Sequence, residues 1–460
     1  MGSDHEMSKT DNPTEEEVNQ DILETLEGVG KRYKLAVTIL GLIVLWALIA
    51  WGYQIKMGFG VTGKRRPNLW ALYITTFVFW IGISHGGTMI SAILRLAKAE
   101  WRRPITRGAE ALTVFALAIA ILFPMIHMGR VWLFYWMMPL PNRFALWPNF
   151  RSPLSWDLFA MTAYLTGSVV FFYVALIPDL AIVRDHMKGL RAKLCGVLAL
   201  GWRGTTREWR WLEMAGLTMA IIIIPLAVSV HTIVGWDFGM TLTPGWHSTI
   251  FAPYFVLGAI FSGLGAVVIA MSIVRWVFGL QKYLTPHHFN QLGKVLLVVS
   301  LLWGYFFFAE ALTVWYGHDP AEMSILQART TGKFMYFFIV MVFCNFIIPV
   351  SYLSFPKLRR NIKGFFVVGL FINVGMFIER FLIVVPSLTY SRLPFVWRTY
   401  TPGWVEISIL TGSLAGYILL YLIFVKTFPV IPIWEVKEGL LASTEKKIGN
   451  ATLPAIMKHD

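Results

Sequence analysis

Cysteine and charge are what this 460-residue chain has least of. Its two cysteines, Cys195 and Cys344, stand far apart with no CxxC spacing. That excludes a disulfide framework, a cysteine-ligated zinc and an iron–sulfur cluster held by this chain alone. Charged residues make up only 14% against 56% hydrophobic, a ratio with many long apolar runs that no soluble domain needs. The chain reads as a polytopic membrane protein. Acidic side chains are scarcer than basic ones, 26 against 40, for a net charge of +14. Lys and Arg cluster in short loops between apolar runs, which is the pattern of membrane topology rather than of a phosphate-binding face, so no nucleic-acid partner is expected. The first 32 residues are polar and acidic and lack a basic, apolar and small-residue start. No cleavable signal peptide is expected, and the first span serves as its own insertion signal.

Ten apolar segments have spanning length, near 33–53, 69–96, 108–138, 156–178, 210–235, 248–280, 289–316, 331–353, 364–389 and 404–427. The expected fold is an all-α polytopic membrane protein of about ten transmembrane helices. A polar segment, 1–32, precedes the membrane domain, 33–427, and a polar tail of mixed charge, 428–460, follows it. Loops 95–110, 179–209, 281–288 and 354–363 carry 16 Lys and Arg, and the alternate set carries 9. The first set, with both termini, is therefore expected in the cytoplasm. The run Lys64-Arg65-Arg66 dissents, on the other side.

With that orientation, the stretch from Pro124 to Phe159 organises the chain. His127 lies in the outer half of the third span, followed by Arg130, and Asp157 opens the fourth span at the outer face. The fifth span ends outward with His231, Trp236 and Asp237. Three helix ends thus bring His127, Asp157, His231 and Asp237 to one depth, among Trp132, Trp136, Trp147 and Trp156. Ionisable groups at membrane depth are costly and mark functional sites. Taken singly, each has a plain structural reading, a histidine bonded to a carbonyl or an aspartate favoured by a helix dipole. Further inside, His85, Glu310, Glu379 and Arg380 suggest a proton route, or equally interhelical glue. Glu379 and Arg380 are adjacent and point about 100° apart, which predicts pairing across helices rather than with each other.

A short internal repeat accompanies this. Arg95 and Arg275 close Ser/Gly-rich spans, Pro104 and Pro286 open the next helices, and His127 and Glu310 follow at nearly equal distances. It predicts two related four-helix bundles, spans two to five and six to nine, with spans one and ten added.

A lipid-soluble two-electron carrier such as a quinol must release two protons when oxidised. Histidine and carboxylates at a helix end supply acceptors, and tryptophans supply faces for a flat ring. No redox centre is visible in the chain, so electrons would leave to a partner. A secondary transporter or proton-channel subunit would share the repeat and the buried charges, though its cluster should be central rather than outward. A b-haem would need facing histidines, for which His127 and His231 are candidates. A purely structural subunit would tolerate loss of the cluster.

The run HTIVGWDFGMTLTPGWHSTIFAPYFVLGAIFSG, His231 to Gly263, resembles the NrfD/PsrC-like quinone-interacting membrane subunits. The segments SHGGTMISAILR and PMIHMGRVWLFYW resemble the ActC subgroup found in alternative complex III, with the smaller ActF paralogues as the competing assignment. The resemblance implies a quinol pocket using His127 and Asp157, with Arg130, His231, Trp236 and Asp237 nearby, and menaquinol as the favoured quinol. It implies that this chain holds no haem or iron–sulfur cluster. Its partners would be an extracytoplasmic iron–sulfur/molybdopterin-like subunit, multihaem cytochrome c subunits and a paralogous NrfD-like membrane subunit. Its place would be a bacterial inner membrane, with proton translocation an open addition.

Overall fold

The computed structural model describes residues 13–138 and 150–443, with two short paired strands, Glu445–Ile448 and Ala451–Pro454, beyond them. Among the described residues, ten helices are long and apolar enough to cross a membrane: Lys31–Met57, Ala71–Leu96, Glu100–Met128, Pro153–His186, Thr206–Gly239, Phe251–Val277, Pro286–Gly317, Met335–Leu353, Ile362–Thr389 and Trp404–Thr427. They fall on the ten expected segments, and we number them as spans one to ten. The protein is an all-helical, multi-pass integral membrane protein. The stretch 139–149, with the proposed Trp147, lies outside the described residues.

Where helix and apolar run differ, proline and glycine explain it. The third apolar run reaches residue 138, but the helix does not. The helix Arg103–Ala120 breaks at Ile121, resumes as Leu122–Met128, and ends at Gly129 with φ +75°. Pro124 lacks an N–H, and its ring crowds the carbonyl four residues earlier. Gly129 accepts the left-handed turn at no steric cost. Residues Val131–Met137 then form a 3₁₀ helix. In span eight, Phe343–Ile347 widens into a π-turn just before Pro349. The missing N–H of Pro349 frees the carbonyl of Asn345, which accepts instead from Ser300 Oγ of span seven at 3.0 Å. Span four, expected to stop at 178, carries Pro178 within it and runs on to His186.

Spans two and six meet where neither has a side chain. A Cβ built on Gly86 would stand 2.2 Å from the Cα of Gly263, and the reverse is equally tight. Backbone-to-backbone approach of this kind is how helices pack in lipid, where burial of apolar surface gives no drive. Span one packs on span ten and leaves Leu35, Leu42, Trp46 and Ile49 more than half exposed, a face suited to lipid or another apolar chain.

At the end of the spans away from His127, the tail is less separate than its polarity suggests. Val430, Ile431 and Ile433 are fully buried, and the helix Ile433–Ser443 docks on the spans. Glu435 holds Arg95 and Arg102, each at 2.7 Å. Asp179 pairs with Arg107 at 3.1 Å and accepts from the backbone N–H of Ile433 and Trp434. The amphipathic helix Glu15–Glu24, started by a capping box on Thr14, buries Val18 and Ile22 against this tail.

Candidate functional site

Two carboxyls are brought face to face by the ends of spans four and five. Pro153 opens span four, which puts Asp157 in its second turn, and Asp237 lies in the last turn of span five. Their carboxyl groups are hydrogen-bonding neighbours. Two carboxyls held this close can share a proton between them. The remaining Oδ1 atoms of both residues are buried with no hydrogen-bond partner among the described residues. Trp156 and Trp236, each next to one of the acids in sequence, meet edge to face at 6.2 Å.

His127 sits in the short helix beyond Ile121, and its partner is Lys64. The Nδ1 atom lies 3.1 Å from Lys64 Nζ. No hydrogen bond joins His127 to Asp157 among the described residues, so the carboxylate that would orient the imidazole is bonded elsewhere. Lys64 arrives from the loop between spans one and two. Its ammonium lies over the rings of Phe59 and Tyr73, at 4.0 and 4.9 Å. Gln54 fixes the same corner: its Nε2 donates to the carbonyl of Ile126 at 3.1 Å, and its Oε1 accepts from the Tyr73 hydroxyl. Glu406 of span ten holds the loop down by accepting from Gly63 N at 2.7 Å and Tyr400 Oη at 2.7 Å. Burial pushes the Lys64 amine down to about 7, with Glu406 opposing the shift. Lys64, Gln54, Tyr73 and Glu406 are not among the expected site residues. The one visible signal is the basic run on the side that should have few.

The other expected residues divide. Arg130 is exposed at the turn after Gly129. His231 is fully buried, roughly 9 Å along the helix from Asp237 at 1.5 Å per residue. It packs against His85 at 4.7 Å and Phe255 at 5.9 Å. His85 places its ring nitrogens 2.7 Å from the carbonyl of Ile81 and 2.8 Å from that of Ala227.

Glu310 and Glu379 both line a cavity of about 80 Å³, with Tyr254 and Arg329, a space large enough for water. Glu379 accepts from the Tyr254 hydroxyl and from Trp303 Nε1 at 2.8 Å. The expectation that Glu379 and Arg380 avoid each other is corrected: they pair at 3.0 Å. A guanidinium on a long stem spans the 100° between neighbours, and Arg380 folds back over the Phe255 ring at 4.8 Å. His85 is thus not in one cavity with the two glutamates. It packs against His231, whose other ring neighbour, Phe255, lies under Arg380.

Fold and site together define a ten-span helical membrane protein with an acid pair and a histidine–lysine pair at the ends of its spans. The chain belongs to the NrfD family, matching the family described as Polysulphide reductase, NrfD, over residues 60–391. It is similar to a putative dimethyl sulfoxide reductase membrane protein of Halobacterium salinarum, 25% identical, covering 82% of this chain and 87% of that one. It is 23% identical to the Hdr-like menaquinol oxidoreductase integral membrane subunit of Archaeoglobus fulgidus, covering 90% and 97%. It is 20% identical to the menaquinone reductase integral membrane subunit of Nitratidesulfovibrio vulgaris, covering 84% and 89%. It is thus a membrane subunit of the kind found in oxidoreductase complexes that handle quinones.

Proposed function

We propose that this chain binds and oxidises a quinol at the Asp157–Asp237 and His127 site, as the membrane subunit of an electron-transfer complex of the alternative complex III type, in the ActC position. The observation that carries this is the Asp157–Asp237 acid pair where spans four and five meet, with His127 near the end of span three on the same side of the bundle. Oxidation of a quinol removes two electrons and two protons. The electrons pass to an iron–sulfur or haem acceptor on a partner subunit. One hydroxyl proton goes to His127 and the other to the carboxyl pair, whose two Oδ1 atoms have no hydrogen-bond partner among the described residues. The names of two relatives, a menaquinol oxidoreductase subunit and a menaquinone reductase subunit, support a menaquinone-class substrate. The charge bias of the loops supports termini in the cytoplasm and the site on the outer side. An outer iron–sulfur subunit, cytochrome c subunits and a second NrfD-like subunit are the partners this reading calls for. Glu310 and Glu379, in their own cavity with Arg329, are the residues through which protons would cross if turnover is coupled to translocation, with His85 and Arg380 flanking His231.

The test is quinol oxidation by the purified, fully assembled complex. Asp157→Asn keeps the size but removes the charge and the basicity. General acid–base groups contribute ~10²–10⁴-fold, so turnover should fall at least ~10-fold. His127→Ala should be comparably damaging, and the double variant much less than multiplicatively worse. Near-normal turnover of assembled Asp157→Asn would remove the carboxylate from the mechanism.

A further inference from the structure

Lys64 is the one member of the Lys64-Arg65-Arg66 run that turns inward. Arg65 and Arg66 line a cavity of about 410 Å³ at the mouth of the loop, with Asn68, Arg398 and Tyr400. Lys64, between the lining residues Gly63 and Arg65, is 6% exposed and does not itself line the cavity, whose wall at Gly63 and Gly403 is tied down by Glu406. Everything that faces its amine is accounted for among the described residues: His127 from span three, Tyr73 from span two, Phe59 from its own loop and Glu406 from span ten. A lysine aimed at an imidazole nitrogen has two states. As an ammonium it donates to Nδ1, which leaves the ring proton on Nε2. As a neutral amine it accepts from Nδ1–H, which leaves Nε2 bare and able to take a proton.

We propose that Lys64 is the positioning and proton-relay residue of His127: as a neutral amine it takes the Nδ1 proton while Nε2 takes a hydroxyl proton from the quinol. This rests on reading the site as a quinol site. The quinol O–H bond breaks and Nε2–H forms; Nδ1–H breaks and Nζ–H forms. The electrons go to the partner's iron–sulfur or haem acceptor. The ring ends neutral in its other tautomer, and the charge sits on Lys64. Release of that proton to water in the cavity above, and return of the ring proton to Nδ1, restore the start. An amine held near 7 by burial populates both states at neutral pH. The sign follows: below about 7 the ammonium blocks Nε2, and above it the amine is ready.

The experiment measures kcat/KM for quinol oxidation by the intact complex from acid to alkaline pH, beside the affinity for a hydroxyquinoline N-oxide inhibitor. The wild type should rise about tenfold per pH unit below about 7 and flatten above it. Lys64→Arg keeps the cation but cannot release a proton. It should lower kcat/KM by about 10² or more at alkaline pH and abolish the limb near 7, with inhibitor affinity kept within about threefold. Lys64→Met, free of added bulk, should lose the limb as well and serves if the arginine variant does not assemble. A limb that persists in either variant overturns the relay and leaves the quinol site standing. An inhibitor that fails to bind the wild type overturns the quinol site itself.

Discussion

At the scale of single residues, the chain buries charge in two different ways. Around His127 and Asp157 the groups are left with open hydrogen-bonding capacity: both carboxyls of the acid pair keep an oxygen without a partner among the described residues. At the other end of the spans, charges are paired across helices. Arg107 and Asp179 are 1% and 0% exposed and pair at 3.1 Å, and the same carboxylate caps the backbone of Ile433 and Trp434. Removing one partner of such a pair strands the other. Arg107→Met should therefore destabilise the protein by about 3–5 kcal/mol, whereas Arg107→Met with Asp179→Asn should recover a large part of that. Thermal denaturation of the detergent-purified protein, followed by loss of monodisperse material, reads both. A double variant no more stable than the single would mean that Asp179 matters for the tail N–H groups and not for Arg107.

Elements were the most legible level, and site partners the least. Ten runs of spanning length gave ten helices because apolar length alone decides insertion. The convergence of Asp157 and Asp237 at one depth also followed from orientation and helix ends. Their direct pairing did not, since which side chains turn toward each other is set by helix rotation. Lys64 was out of reach for a clearer reason: the loop that carries it is tied down at Gly63 by Glu406, more than three hundred residues away. The break in span three was signalled by Pro124 and Gly129, whose local chemistry an apolar count ignores. Gly86 and Gly263 stand backbone to backbone. Gly86→Ala would put a methyl 2.2 Å from a backbone atom and should cost about 1–3 kcal/mol or more through separation of spans two and six. Gly52, in span one, has nothing within 4 Å of its would-be Cβ. Gly52→Ala should change stability by less than about 1 kcal/mol. Equal effects of the two, measured by the same denaturation, would mean that the two-to-six contact does not hold the helices in place.

The whole molecule is polarised across the membrane. One end carries the acid pair, the histidine–lysine pair and a basic cavity; the other carries both docked terminal helices and the closed ion pairs. Under the proposed function, quinol oxidation would release protons on the side where the site lies, so orientation decides whether this chemistry adds to a proton gradient or subtracts from it. The proposed orientation, from the excess of Lys and Arg in the loops at the docked end, has that end in the cytoplasm. Both native cysteines are buried, so single cysteines added at exposed positions report sidedness without background. Leu242, 87% exposed between spans five and six, and Leu190, 85% exposed after span four, lie on opposite sides. In intact cells an impermeant maleimide should label Leu242→Cys, and Leu190→Cys only after the membrane is opened. The reverse pattern would turn the molecule over. The acid pair, the relay from His127 and the basic cavity would then discharge into the cytoplasm, and an outer electron acceptor could no longer reach the quinol.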